Sequence, residues 1–443
     1  MASFREFVNQ LEKDGKLVVI KKEVDTRYEI AAILKKLEGS AVKFTNVKGH
    51  GMSVVGGLGS SRELIARSMG IAQKDLLFRM ADAIKNPKKP EVVRSPPCQE
   101  VVIRGKDVDL TRLPMLTHYE KDGGPYTSSS VVIVSNKKWG RNLATHRMML
   151  LGKNRMVARI CARDTMEYLN DAGGEIDAAV AIGVHPAVQI ASATRTKIDF
   201  DEMGIANALA PTTTAKCITK DIEVPAEAEI ILEGRLSAKE RAPEGPFVDI
   251  TGTYDFPKRQ EPVFTVEAIT MRKGAMYHAL LPGLSEHRLY MGMPREPTIF
   301  TEVSKVCECR NVVLTPGGCG WLQAIVQIKK VHPDDGRKAI EAAFRGHSSL
   351  KHVLVIDDDI DIYSRDELEW ALATRFQAGK NLFTQEAPGS SVDPSAEPIP
   401  GSDRQKTTRM GLDATIPAEK ERREFMRPRI PGEENIRPED YLE

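Results

Sequence analysis

Between residues 99 and 285 the chain alternates short β-rich runs with turns, and this density limits the fold more than any other feature of it. The runs "SSVVIVSN", "NLATHRMMLLG", "NRMVARICA", "AAVAIGV", "EIILEGRLSA" and "PVFTVEAITMR" are separated by Gly, Asn or charged turns. Strands so short and so many suggest a sheet closed or partly closed on itself. Two helical patterns, "DTMEYLNDAG" and "DEMGIANALA", interrupt it. The flanks differ. Upstream, "FREFVNQLEKDGK" has helical spacing ending near Gly15, "LVVIKKEV" is extended, and "YEIAAILKKLEG" is helical with Gly39 as its C-cap. The helical "KDLLFRMADAIKNPKKP" then meets a proline boundary at "RSPPCQE". Downstream, "LYMGMPREPTIFTEVSKVCEC" reads as a connecting helix. Beyond it "VVLTPGGCGWLQAIVQIKK" and "HVLVIDDDIDIY" read as strands, "DDGRKAIEAAFRG" and "RDELEWALATRFQAG" as helices, and "EAPGSSVDPSAEPIPGSDRQ" as a loop. The charged end is expected to be solvated or packed on a neighbouring subunit. The fold expected is α/β (α+β): a mixed N-terminal region over 1–98, a β-rich domain over 99–288, a connecting helix over 289–309, and a C-terminal α/β domain with its tail over 310–443.

Charge excludes some function classes. The charged residues of the 443-residue chain nearly cancel, leaving +1, so no bulk field gathers nucleic acid or a membrane surface. No apolar run approaches the roughly 18 residues that span a bilayer, and "MASFREFVNQLEKDGK" is no targeting peptide. A cytoplasmic protein is expected. Six cysteines without framework spacing agree with a reducing compartment, and "CECRNVVLTPGGCG" is a poor zinc pattern, better read as buried free thiols. Neither "VVGGLGSS" nor "TPGGCGW" has the context of a phosphate-binding fingerprint, and HExxH and GxSxG are absent. "IDDDID" reads as a charged turn at a strand end, since its acids alternate faces.

Two stretches carry chemistry. "APEGPFVDITG" holds Glu244 and Asp249, whose five-residue spacing converges on neither a strand nor a helix, but its Gly-Pro pair can bend the chain. In "GRNLATHRMMLLG", strand parity sends Asn142 and His146 to one face and Arg147 to the other. A buried guanidinium there needs a carboxylate, and Glu244 and Asp249 are the candidates. A surface arginine on a barrel strand is the competing reading of Arg147.

In order along nearly the whole chain, "DGGPYTSSSVVIV", "GRNLATHRM", "EIILEGRLSAKERAPEGPFVDITG", "PGLSEHRLYMGMPREP", "VLVIDDDIDIY" and "TTRMGLDAT" resemble the UbiD-like decarboxylases that use prenylated flavin mononucleotide, in their compact branch. The resemblance implies a split β-barrel flavin-binding domain and a C-terminal oligomerisation domain, with the cofactor as electron sink for loss of CO2. It implies a catalytic set of Arg147, Glu244 and Asp249, with Arg147 orienting the substrate and Asp249 as proton donor. It further implies Asn142, Asp164 and Glu202 around Mn2+ or Mg2+, with K+ as an additional ion left open. Arg163, Ser192, Thr194 and Arg409 fall near cofactor contacts, and His287 and Arg295 in the substrate pocket, where Arg295 would anchor a second anion. Eight residues apart, these two would stack on one helical face. The reaction implied is reversible, non-oxidative decarboxylation of a heteroaromatic or α,β-unsaturated acid, with a furan dicarboxylate favoured. The alternatives are the archaeal anhydromevalonate phosphate reaction and a non-catalytic flavin carrier or carboxylase subunit. Expected partners are the acid substrate and CO2, a prenylflavin synthase supplying cofactor, and copies of the chain in a homodimer or larger oligomer, without nucleic acid or membrane.

Overall fold

In the computed structural model, which describes residues 2–256, 258–402 and 404–442, the β-rich runs form one nine-stranded sheet. Its path is Tyr126–Thr127, Met148–Leu150, Arg155–Ala158, Arg259–Met271, Ile230–Glu244, Glu175–Ile182, Val131–Asn136 and Gly140–Thr145. Val101–Arg104 pairs beside the far half of Arg259–Met271. Every pairing is antiparallel. The two end strands of the path do not pair among the described residues, so the sheet is open rather than a closed barrel. Bulges at Glu233/Gly234 and Ser237/Arg241 bend the long central pair. A side chain at Gly234 would meet the Thr265 carbonyl oxygen at 2.0 Å, so the first bulge requires glycine.

The interrupting helices form as Asp164–Asp171 and Glu202–Leu209. A third, Pro186–Ala193, was not legible in the sequence. All eight of its residues are buried, so it lacks the polar face that gives a helix its period and continues the apolar run of the strand before it.

The N-terminal helix Phe4–Lys13 is amphipathic: Phe4, Phe7, Val8 and Leu11 are buried, and the Ser3 hydroxyl accepts a hydrogen bond from the Glu6 amide. A four-stranded sheet behind it takes Leu17–Ile20, Ala41–Phe44 and Ser53–Gly56 from this region and Met276–His278 from beyond the large sheet. That return tie couples the two units. The C-terminal sheet orders Glu308–Leu314, Gln323–Lys329, His352–Asp357, Gln405–Asp413 and Leu382–Gly389, with Glu397–Pro398 alongside.

Three expectations change. The connecting helix breaks into Ser285–Gly292 and Glu296–Ser304 around a 3-10 turn at Met293–Arg295, where Pro294 and Pro297 interrupt the ladder. "VVLTPGGCGWLQAIVQIKK" is two antiparallel strands joined by a glycine-rich turn. The segment read as a loop supplies the end of the Leu382–Gly389 strand. "IDDDID" does turn at a strand end, and there Asp357 and Asp359 hold the buried Arg375 at 3.0 and 2.7 Å, an ion pair of the fold. The charged end packs on its own chain, with Arg422 on Asp358 and Arg427 on Glu367 and over the Trp370 ring. All six thiols are free, but Cys98 alone is buried and Cys161 is exposed.

The glycine-rich turn meets the connecting helices closely. A Cβ on Gly292 would lie 1.8 Å from the Gly320 carbonyl oxygen, whereas one on Gly317 would meet nothing within 4 Å. We expect Gly292→Ala to destabilise the protein by about 1–3 kcal/mol through overpacking and Gly317→Ala to be nearly neutral. Thermal denaturation of the two variants checks this; equal melting temperatures would contradict the contact.

Candidate active site

Arg147 lies between two strands of the large sheet and is the hub of the acidic residues. Its Nε and Nη2 donate to the two Glu244 oxygens at 2.9 and 3.0 Å, Nη1 to Asp249 at 3.4 Å, and Nη2 also to Asp255 at 3.1 Å. Glu244 ends its strand. Gly245 follows with φ +95, and the chain then forms the small hairpin Phe247–Val248 with Tyr254–Asp255. The hairpin carries Asp249 and Asp255 back to the guanidinium, and so two acids five apart come to share one cation. The bend is braced: Gly123 N–H donates to the Pro246 carbonyl at 2.9 Å, and a Cβ on Gly123 would meet the Gly245 oxygen at 2.3 Å. The "DGGPY" glycine is therefore a requirement of close approach.

The three acids are not equivalent. Glu244 is fully buried and bidentate, and its Oε1 also accepts from the Tyr126 hydroxyl at 2.9 Å. Burial and the neighbouring Glu244 push the Tyr126 hydroxyl well up, so it remains a donor. Asp255 is held from a second side by Arg259. Its pKa is lowered because hydrogen bonds from Arg259 and Arg147 outweigh burial. Asp249 has the longest contact and the most exposed side chain of the three, 29%. It is the acid least committed to a cation. Burial lowers the Arg147 pKa, but the hydrogen bond and charge of Glu244 outweigh it, so the guanidinium stays charged. Phe247 stacks against it, 4.8 Å from ring centroid to guanidinium carbon.

His287 is beside this network. Burial pushes it down to about 4, partly offset by the Asp249 charge. Its Nδ1 accepts from the Gly283 amide at 3.0 Å, so the neutral ring carries its proton on Nε2. His287 and Arg295 do not share a helical face, because the helix carrying His287 ends at Gly292.

Asn142 and Glu202 are buried neighbours. Glu202 accepts from the Leu143 amide at 2.9 Å and from the Thr196 hydroxyl at 2.8 Å. The Thr165 hydroxyl donates to Asn142 Oδ1 at 3.3 Å and lies 3.0 Å from His146 Nε2, so Asn142 and His146 do share a face. No contact joins Asp164 to either oxygen donor among the described residues; Thr165 is the residue of that helix on Asn142. Burial pushes the Glu202 carboxyl up to about 8. A buried acid held protonated on the amide that follows Asn142 in the chain suits a hard divalent cation that would displace the proton. Ser192 and Thr194 turn their hydroxyls to the carbonyls of Gln189 and Ile190, which leaves them lone pairs rather than protons to offer.

The cationic side chains were only partly legible. Arg163 and Arg195, flanking Thr165 and Thr196, are exposed and form no ion pair among the described residues. Arg295 is buried, 6% exposed, with Nε unpartnered, and lies 5.5 Å from the Trp321 ring centroid. Trp321 packs edge-on against His347, at 4.5 Å between centroids. Arg404, which nothing in the sequence singled out, donates to Ser348 and to the Pro388 carbonyl. Arg409 bonds the Ser348 and Pro388 carbonyls and lines a hollow of about 530 Å³ with Arg337, Phe344 and Phe383. Arg404, rather than Arg409, is the residue on which the charges of Arg163 and Arg195 bear. Tyr126, Asp255 and Arg259 were also missed, although Tyr126 lay within a quoted motif.

Three family models match the chain in succession: the 3-octaprenyl-4-hydroxybenzoate carboxy-lyase N-terminal domain over residues 8–84, its Rift-related domain over 91–285 and its C-terminal domain over 288–414. The chain is 42% identical to an anhydromevalonate phosphate decarboxylase of Methanothermobacter thermautotrophicus, over 93% of this chain and 96% of that protein. It is 39% identical to the protein of the same name from Methanosarcina mazei, over 97% and 100%. The structure of the UbiD-class enzyme HmfF from Pelotomaculum thermopropionicum in complex with FMN superposes with a TM-score of 0.94 at 39% identity, covering 99% of this chain and 100% of that one. An evolved dimeric form of HmfF in complex with prFMN gives 0.91 at 37%, covering all of both chains.

Because the Glu202 acid is raised from its ordinary 4.5 to about 8, the folded protein binds that proton more tightly than the unfolded chain. Its contribution to metal-free stability is full below about pH 4.5 and is lost as pH rises toward 8. A cation displacing one proton should bind about tenfold more tightly per pH unit across this window and level off above it. Mn2+ titration of the cofactor-free protein, followed by electron spin resonance at several pH values, checks the slope, and Glu202→Gln should abolish it.

Proposed function

The chain belongs to the UbiD family of carboxy-lyases, and we propose that it decarboxylates a phosphorylated α,β-unsaturated acid of the anhydromevalonate phosphate type. The observation that carries the substrate is the similarity to archaeal proteins of that name, at 39–42% identity over 93% or more of this chain. It reverses the order set by sequence alone, in which a furan dicarboxylate came first. The non-catalytic readings fare worse, since a carrier has no use for Asp249 or its hub.

Mevalonate phosphate less one water across the bond next to its carboxylate is an unsaturated acid with a phosphate ester at the far end. Its decarboxylation breaks one C–C bond, releases CO2 and forms one C–H bond at the carbon that held the carboxylate. Prenylated FMN, when bound, would supply the electron sink. The residues that would hold it are Arg163 and Arg195, with Asn142 and Glu202 taking Mn2+ or Mg2+ near its phosphate. Arg147, fixed by Glu244 and Asp255, would orient the carboxylate. Asp249, the acid least held by a cation, would deliver the proton and regain it from water. Neutral His287 would donate from Nε2 to the substrate beside it. A homo-oligomer loaded with cofactor by a prenylflavin synthase completes the reading.

We expect Asp249→Asn to bind FMN within twofold of the parent and to lose about 10²–10⁴ in turnover. Full turnover by this variant would remove the proton donor assigned here. With the parent protein loaded with prenylated FMN, CO2 release from the phosphorylated acid and none from furan-2,5-dicarboxylate is the expected result. The opposite pattern would restore the furan reading.

A further inference from the structure

A guanidinium offers five N–H donors in a fixed fork, and where those of Arg147 go decides how it can hold a carboxylate. Nε and one hydrogen of Nη2 are taken by the two oxygens of Glu244. The other hydrogen of Nη2 is taken by Asp255 Oδ2 at 3.1 Å. Only Nη1 has room, since one of its hydrogens reaches Asp249 at 3.4 Å and the other has no acceptor among the described residues. Exposure agrees with the count. The Glu244 side chain is fully covered, that of Asp255 is 20% exposed and that of Asp249 29%, so the cation is most open at Nη1. Asp255 itself is pinned: the hairpin sets it opposite Phe247, and the oxygen that accepts from Arg147 also accepts from Arg259 Nη1. Burial would raise this acid, but the hydrogen bonds and charges of Arg259 and Arg147 hold it down, so it stays an ionised acceptor.

Nη1 and Nη2 together form the end-on edge of a guanidinium, where an incoming carboxylate can be gripped by two parallel hydrogen bonds. With Glu244 on the side edge and Asp255 on Nη2, both two-point edges of Arg147 are closed. Decarboxylation gives that closure a use. The substrate carboxylate is an anion before its C–C bond breaks and part of neutral CO2 afterwards, with the electron pair left on the carbon skeleton. Hydrogen bonds to its oxygens therefore weaken on the way to the transition state. A two-point grip would stabilise the ground state more than the transition state and slow the step, whereas a single bond orients the group at a smaller cost.

We propose that Asp255 is a positioning residue that confines the substrate carboxylate to one nitrogen of Arg147, Nη1, and keeps it out of a two-point ion pair. The inference rests on the reading of Arg147 as the residue that orients the carboxylate, and it is independent of what the far end of the substrate carries. It also places the carbon that loses CO2 beside Asp249, which shares Nη1 and returns the proton to that carbon.

The test titrates 3-methylbut-2-enoate, an unsaturated acid without a phosphate, into the protein saturated with FMN and follows its carbon-13-labelled carboxyl group by NMR. Asp255→Asn removes the charge but leaves an oxygen on Nη2, because a single oxygen of Asp255 makes both of its arginine contacts. Asp255→Ala removes charge and oxygen together, and Asp255→Ser, whose shorter side chain also clears Nη2, replaces it if melting shows that the Ala variant does not fold. The Ala or Ser variant should bind the probe at least about fivefold more tightly than the Asn variant, the worth of one further hydrogen bond. Loaded with prenylated FMN and given the phosphorylated acid, it should show both a lower kcat and a lower KM than the Asn variant, a pairing that a merely loosened site does not produce. Equal probe affinity in the Asn and Ala variants would overturn the inference, since charge alone would then account for Asp255. Undiminished probe binding by Arg147→Gln would overturn it together with the reading of Arg147. The expected order of affinities in a protein that fails to decarboxylate the phosphorylated acid would uphold the role of Asp255 and reject the substrate reading instead.

Discussion

One guanidinium shared by three carboxylates organises this protein. Arg147 is mostly buried, and Glu244 covers it with two parallel hydrogen bonds. Removing one partner of such a pair leaves a buried charge uncompensated, at a cost of about 3–5 kcal/mol. The surroundings are therefore fixed tightly: Tyr126 holds Glu244, Gly123 admits the bend, Phe247 covers the cation, and the hairpin from 247 to 255 brings in two more acids. Arg147 and Arg259 supply two positive charges against three negative ones. Asp249 has the longest contact and the most exposed side chain of the three, so it is the acid the cations hold least.

The second constraint is the junction between the catalytic sheet and the C-terminal domain. The Gly292 and Gly320 backbones meet there, Cys319 reaches the Thr251 carbonyl at 3.7 Å, and Arg288 holds the Ile250 carbonyl at 3.2 Å. Both contacts land on the turn that follows Asp249. The turn after Asp249 is thus supported by Arg288 of the connecting helices and by Cys319, from the domain that also supplies Trp321, His347 and Arg404. The glycine-rich "TPGGCGW", a weak nucleotide motif by pattern, is a close-packing device at this junction.

Legibility followed locality. The Phe4–Lys13 helix, the strands of the large sheet and the Asp357 turn were readable because each is fixed by neighbours a few residues away. The Pro186–Ala193 helix was hidden because burial on all sides erases period. The single connecting helix failed at Pro294 and Pro297, whose effect on a ladder depends on what packs around them. In the site, Glu244, Asp249 and Arg147 were found from residue type and a bend. Asp255 and Arg404 were not, because each acquires its role from partners far along the chain, Arg147 for one and Ser348 for the other.

By itself the sequence determined the family, the α/β plan, and a convergence of two acids on an arginine, since motif identity and short-range torsions are written in adjacent residues. The tertiary structure alone decided that the large sheet stays open, that Asp255 joins the network, that Thr165 rather than Asp164 touches Asn142, and that Arg295 and Arg404 each keep a buried Nε without a partner. The physical reason is that charge compensation is a sum over everything within a few ångströms. Residues that close in space but lie a hundred positions apart leave no periodic trace of that sum in the chain.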